Sequence, residues 1–436
     1  MSETKVKAGA AEVVIPKVAT GGPTGGTLDV VAGPSLDPSF AVAWGRGLAA
    51  LRVPAGAFTA AMLAFGVFMA VVGRNPLAIY GQMWRGSFGT WFSFQNTLLR
   101  AAPLMLTALA TALPGRLGLV VLGGEGAMVL GGLCAAVVGL ALHGHSPLTV
   151  AAGMLAAGAF TGGVWIAIAG ALRAYRGVNE TIATLLMNYV AIALLNHFVE
   201  GPLRDPASLN KPSTTPIGDE NMIGSIPGLD VHWGLAWGLG ACVLGWFLMH
   251  RTLFGFAARV VGGNVRTALL NGLPVARLIV LATFLGGLCA GLAGALEVAA
   301  IHGTANASLV TGYGYTGVLV SFIARQNALA IIPVSIIIGG IGASGGLLQR
   351  AFNLPDATVN VLQGMLFIAI LLSETLHGRT RKARSVRPVA PAAPIAPTAS
   401  ATTTTTTTTT TPAAAMPAAS ARAATTSSGD QPLVVA

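Results

Sequence analysis

From about Val53 to Leu376 the chain alternates long apolar runs with short breaks of polar residues, glycine and proline. A helix that crosses a bilayer needs roughly 20 mostly apolar residues. Ten runs meet or approach that length: 53–73, 96–114, 117–142, 148–172, 181–200, 234–250, 278–300, 313–325, 328–349 and 357–376. The eighth is short enough to be re-entrant. The pattern therefore predicts an all-α, polytopic membrane protein of about ten transmembrane helices. Outside the runs lie a polar, Gly/Pro-rich segment at 1–52 and a tail at 379–436. The tail begins with Arg379, Arg381, Lys382, Arg384 and Arg387, then turns Pro/Ala/Thr-rich with an unbroken threonine run from Thr402 to Thr411. Such segments bury too little apolar area to offset their ordering entropy, so both tails are expected to be disordered.

Composition agrees with a membrane solvent. Of 436 residues, 53% are hydrophobic and 9% charged, against about a quarter charged in a soluble chain. The net charge of +10 sits in short blocks rather than on a continuous basic face, which reads as topology rather than as nucleic-acid binding. The link 251–277 holds Arg251, Arg259, Arg266 and Arg277 with no acid, and Arg173 and Arg176 precede the fifth run. Both links are expected on the cytoplasmic side. The stretch 201–233 mixes Arg204 and Lys211 with Asp205, Asp219, Glu220 and Asp230, and is expected outside. Counting from these links places both termini in the cytoplasm. No signal-peptide pattern occurs in the first 50 residues, so the N-terminus is expected to be retained. Cys134, Cys242 and Cys289 lie in apolar runs without metal spacing and read as small core residues.

Chemistry is sparse and local. In the basic link, Asn264 precedes Val265-Arg266-Thr267-Ala268-Leu269-Leu270, and Asn271-Gly272 and Pro274 follow. An asparagine cap and a glycine stop delimit a helix of about two turns. A helix that short is unstable alone and is expected to dock on something. Asn264, Arg266, Leu269, Leu270 and Gly272 are the residues of this candidate coupling element. The chain has no Gly-x-x-x-x-Gly-Lys-Ser/Thr loop, so any ATPase must be a separate polypeptide. No catalytic constellation sits in plausible register, and neither an enzyme activity nor a cofactor is expected. His143 and His145 flank one glycine without a third ligand and do not make a metal site.

Within the apolar runs, Gly123-Gly124-Glu125-Gly126 and Gly131-Gly132 permit a broken or closely packed helix. An intramembrane carboxylate is costly and by default functional. Glu125, Gly123 and Gly126 are therefore candidate pathway residues, together with Glu297 and Asn188; packing at a polar interface is the competing reading for Glu125. Glu180 suits a helix N-terminus. The glycines of Thr311-Gly312-Tyr313-Gly314-Tyr315-Thr316-Gly317 match a dinucleotide-binding spacing, but no βαβ unit surrounds them, and the segment reads as a Gly-opened helix start.

These pieces, in this order, resemble the permeases of bacterial ATP-binding-cassette importers for simple sugars, branched-chain amino acids and nucleosides, with the nucleoside-type permeases most similar. Carrying the likeness are Gly73-Arg74-Asn75-Pro76-Leu77, Gly86-Ser87-Phe88-Gly89, Ala102-Pro103-Leu104, Gly123-Gly124-Glu125-Gly126, Asn179-Glu180-Thr181-Ile182 with Asn188-Tyr189, Gly262-Gly263-Asn264, and Gly312-Tyr313-Gly314-Tyr315. The family pattern has Asn and Gln where this chain has Val121 and Ala127. The resemblance implies a translocation subunit in the cell membrane. Its expected partners are ATPase subunits, a second permease, an external substrate-binding lipoprotein and membrane lipids. An ion-coupled secondary transporter is the alternative, since broken helices and midplane acids also suit that mechanism.

Overall fold

The computed structural model describes residues 40–208, 211–355 and 357–385. Thirteen α-helices follow in chain order: α1 (Phe40–Val71), α2 (Pro76–Ser87), α3 (Trp91–Gly115), α4 (Gly124–Ala141), α5 (Pro147–Arg176), α6 (Glu180–Glu200), α7 (Gly234–Arg251), α8 (Leu253–Gly263), α9 (Val265–Leu270), α10 (Val275–Glu297), α11 (Tyr313–Ile323), α12 (Ala328–Phe352) and α13 (Ala357–Ser385). A π turn, Val298–His302, extends α10. Two isolated bridges, Ser213 to Asn306 and Ser225 to His232, are the extended pairings among the described residues. Most helix starts are written locally: the side chains of Asn75, Thr90, Ser146, Asn179, Thr252, Asn264 and Asn327 each accept a backbone N–H of the helix they open.

Among the described residues six helices are long and apolar enough to cross a membrane, or seven if α7 and α8, bent by 73° at Thr252, form one broken span. The protein is thus an all-helical, multi-pass membrane protein. The difference from the ten runs read in the sequence lies in three shorter apolar helices, Ala55–Val71, Ala307–Ile323 and Ala357–Ser373. Several boundaries differ from the sequence reading, and α1 begins at Phe40, inside the segment 1–52 read as polar. The run 117–142 becomes helical only at Gly124, because residues 116–123 bond elsewhere. Helix α13 continues through Arg379, Arg381, Lys382 and Arg384 to Ser385, where a disordered tail was expected. Arginine and lysine are good helix formers, they extend a helix already nucleated, and they suit its C-terminal end. Residues 1–39 and the Pro/Ala/Thr tail, with its threonine run, lie outside the described residues.

Position in the bundle follows from side-chain size. In the apolar window of α3 78% of residues are buried, against 28% in α6, so α3 is central and α6 peripheral. Helices α5 and α10 approach through paired Gly-x-x-x-Gly spacings, Gly158 with Gly162 and Gly287 with Gly291. A methyl on Gly291 would lie 2.9 Å from the Gly162 Cα and would also strike the Gly158 carbonyl oxygen. Lipid tails are as apolar as leucine, so close backbone packing of this kind, rather than hydrophobic exclusion, joins membrane helices. At one end of the bundle the stretch 201–233 closes over the end of α10: Thr214 N–H donates to Ala305 O (3.0 Å), Ile217 N–H to Gly303 O (3.0 Å) and Ile223 N–H to Ala299 O (2.8 Å). At the other end Leu113, Met249, Ala258, Val261, Ala268 and Ile279 join α3, α7, α8, α9 and α10 in one apolar cluster.

Candidate functional site

Between α3 and α4 the chain runs extended through Val120–Leu122 inside the bundle. Such backbone at membrane depth is tolerated only where protein satisfies its polar groups. Here α6 does so with one face. Val120 N–H donates to Glu180 Oε1 (3.4 Å), and Thr181 Oγ1 donates to Val120 O (2.9 Å). Leu122 N–H donates to Thr184 Oγ1 (3.1 Å), while the Asn188 amide donates to Leu122 O (2.8 Å) and accepts from Gly126 N–H (2.8 Å). From the other side Thr111 Oγ1 donates to Val121 O (3.1 Å). Residues 180, 181, 184 and 188 share a helix face by spacing. They act as a second strand made of side chains.

The glycines of the motif are needed by this approach. A methyl on Gly123 would lie 3.0 Å from Thr184 Cβ, and one on Gly126 2.8 Å from Asn188 Oδ1 and 3.0 Å from Ala191 Cβ. Asn188 is fully buried and its amide also reaches Tyr315 Oη at 3.3 Å.

Glu125 sits in the first turn of α4 with no solvent exposure. Its Oε1 accepts from Gly312 N–H (2.7 Å) and its Oε2 from Gly314 N–H (2.6 Å), the first amides of α11. One carboxylate therefore lies at the N-termini of two helices at once, where unpaired amides and both macrodipoles favour negative charge. Gly312 takes the left-handed conformation (φ +82°) that presents its amide. Thr107 Oγ1 donates to Tyr313 O (3.0 Å), so α3 holds both broken segments.

The sequence reading grouped Glu125, Gly123, Gly126, Asn188 and Glu297. The structure brings the first four together and leaves Glu297 apart, at the end of α10, buried, with His302 Nε2 3.8 Å from its carboxylate. The Tyr313 side chain is within reach of the charges of Glu125, Glu297 and Arg100. Sequence reasoning missed Thr111, Thr181, Thr184 and Arg100. The spacing of polar residues on α6 was a legible signal for two of them, and an arginine within an apolar run for the last.

The basic link contains α8 and then the short helix that its asparagine cap and glycine stop predict. Asn264 Oδ1 accepts from Arg266 N–H (2.9 Å) and Thr267 N–H (3.2 Å), and Gly272 (φ +73°) ends the element. Ala268 is fully buried against the bundle, which anchors α9, while Val265, Leu269 and Leu270 face outward, Leu270 with 82% of its surface exposed. Arg266 is exposed beside them.

The described residues thus form a multi-pass helical bundle with a hydrogen-bonded break inside it and a short helix docked at one end. The model of one family, described as branched-chain amino acid transport system / permease component, matches residues 93–371, and the chain belongs to that family. A glucose ABC transporter permease protein of Haloferax volcanii is 29% identical over 353 residues, covering 78% of this chain and 91% of that protein. A guanosine ABC transporter permease protein of Bacillus subtilis is 28% identical over 337 residues (75% and 94%). A nucleoside ABC transporter permease protein of Lactococcus lactis is 23% identical over 353 residues (76% and 94%).

Proposed function

We propose that this chain is the translocation subunit of an ATP-binding-cassette importer for nucleosides. It works with separate ATPase subunits, a second permease and an external binding lipoprotein. The observation that carries the reading is family membership over residues 93–371, joined to similarity across 94% of the length of a guanosine and of a nucleoside permease. In this reading the six long helices, the bent α7–α8 pair and the three shorter apolar helices make ten spans in the cell (inner) membrane. The basic links put both termini in the cytoplasm. Stretch 201–233 then faces the binding protein, and α9 offers Arg266, Leu269 and Leu270 to a groove on the ATPase. Closure of the ATPase pair moves α9, and the bundle rocks about the break at Glu125. Glu125, Gly123, Gly126 and Asn188 hold the half-helices that border the solute path, and Glu297 lies toward its outer end.

An ion-coupled transporter needs an acid free to gain and lose its ion. The Glu125 carboxylate is instead held by two backbone amides, Glu297 stands 3.8 Å from His302 Nε2, and neither acid accounts for α9, for which a secondary transporter has no use. The test is purification in mild detergent from the native host: an ATPase should co-purify, and nucleosides with the binding protein should stimulate hydrolysis. A chain that purifies without any ATPase and still transports in vesicles would overturn the reading; stimulation by glucose alone would replace the solute.

A further inference from the structure

Arg100 lies nine residues beyond Trp91, about 13.5 Å along α3 at 1.5 Å per residue, within an apolar span. Among the described residues it makes no hydrogen bond and no ion pair, and its side chain is exposed, as is Asn96 one turn away on the same face. A bare guanidinium against acyl chains is costly, so such a face normally borders water or a polar guest.

The surroundings have a definite chemistry. Gly342 of α12 leaves a recess: a methyl there would stand 3.8 Å from Arg100 Cδ, 3.9 Å from Arg100 Nη1 and 3.9 Å from Gln363 Nε2 of α13. The Gln363 Oε1 is occupied, accepting from Thr316 Oγ1 at 3.2 Å, and its NH2 group is the end turned to Gly342. Arginine has five N–H donors and no acceptor, so the recess is rimmed by donors. Glu297 is the acid whose charge reaches Arg100, yet it stands beyond ion-pair distance, and its near partner is His302.

We propose that Arg100 and Gln363 form a solute-recognition subsite for an edge carrying two adjacent acceptors, and that they make the permease favour 6-oxopurine nucleosides over adenosine. The proposal rests on the nucleoside reading above. The O6 and N7 atoms of guanine or hypoxanthine match the arginine fork, whereas adenine turns its N6 amino donor toward donors.

The test uses the complete transporter in proteoliposomes, with saturating binding protein preloaded with guanosine, inosine or adenosine, so that the binding protein's own affinity drops out of the rate. Failure of the wild type to accumulate any nucleoside sinks the nucleoside reading itself. With wild-type uptake in hand, Arg100→Lys keeps the charge but loses the fork, and Gln363→Leu removes the amide. Each should lower guanosine and inosine rates about tenfold, with adenosine changing less than about threefold. Equal loss on all three nucleosides, or no loss, overturns the subsite. Failure of Arg100→Lys to assemble with the second permease also overturns it, assigning the residue to a subunit contact.

Discussion

At Glu125 one buried carboxylate answers the unpaired amides of α11 while sitting in the first turn of α4, and an amide, with one acceptor oxygen and one donor nitrogen, cannot replace its two acceptor oxygens. Glu125→Gln leaves one acceptor for two N–H groups and turns an NH2 toward a donor. Hydrogen bonds to a charged group contribute about 1.5–3 kcal/mol each, and losing one should lower uptake at least about tenfold, since about 1.4 kcal/mol is a factor of ten. Uptake measured in cells, with co-purification of the ATPase as the assembly control, checks this; unchanged uptake would make Glu125 a packing residue only. Glu297→Gln should cost less, because among the described residues its ion-pair contact is a His302 nitrogen at 3.8 Å. An acid among membrane glycines is visible in the sequence. Its partners are not: Gly312 and Gly314 are 187 and 189 positions away, and nothing local encodes that meeting.

Helices depend on different information at their ends and along their faces. The capped start at Asn264 and the stop at Gly272 were legible, because capping is a contact between residues two or three apart. Which side of α9 faces the bundle was not, because a six-residue helix has no periodicity to speak of. Ala268 decides it by docking. Truncating both exposed leucines, Leu269→Ala with Leu270→Ala, removes methylenes worth about 0.8 kcal/mol per buried CH₂ from any surface that covers them. Substrate-stimulated ATPase activity should fall while membrane insertion is unchanged; full stimulation in the double variant would remove the coupling role. Along α5 and α10 the backbones touch at glycines. Gly291→Ala should therefore destabilise by about 1–3 kcal/mol through overpacking, read as a lowered Tm in detergent. Gly346→Ala on α12 meets nothing within 4 Å and should leave Tm unchanged or raise it.

For the whole molecule, removing residues beyond Arg387 should leave uptake at the wild-type level, because a Pro/Ala/Thr-rich sequence of small side chains offers too little apolar area to build a core; loss of uptake at normal membrane abundance would give the tail a role. The sequence by itself determined the solvent of this protein, its helical class and the approximate places where helices begin. Those follow from hydropathy summed over about twenty residues and from caps a few residues long. Only the tertiary structure decided that α3 is the centre, that the side chains of α6 satisfy the extended Val120–Leu122 segment, and that two helix N-termini share Glu125. It also placed Arg100, Gln363 and Gly342 around one recess. These are contacts between residues from 60 to more than about two hundred and fifty positions apart, chosen by close packing and by the need of every buried polar group for a partner, and no window of about twenty residues contains both members of such a pair.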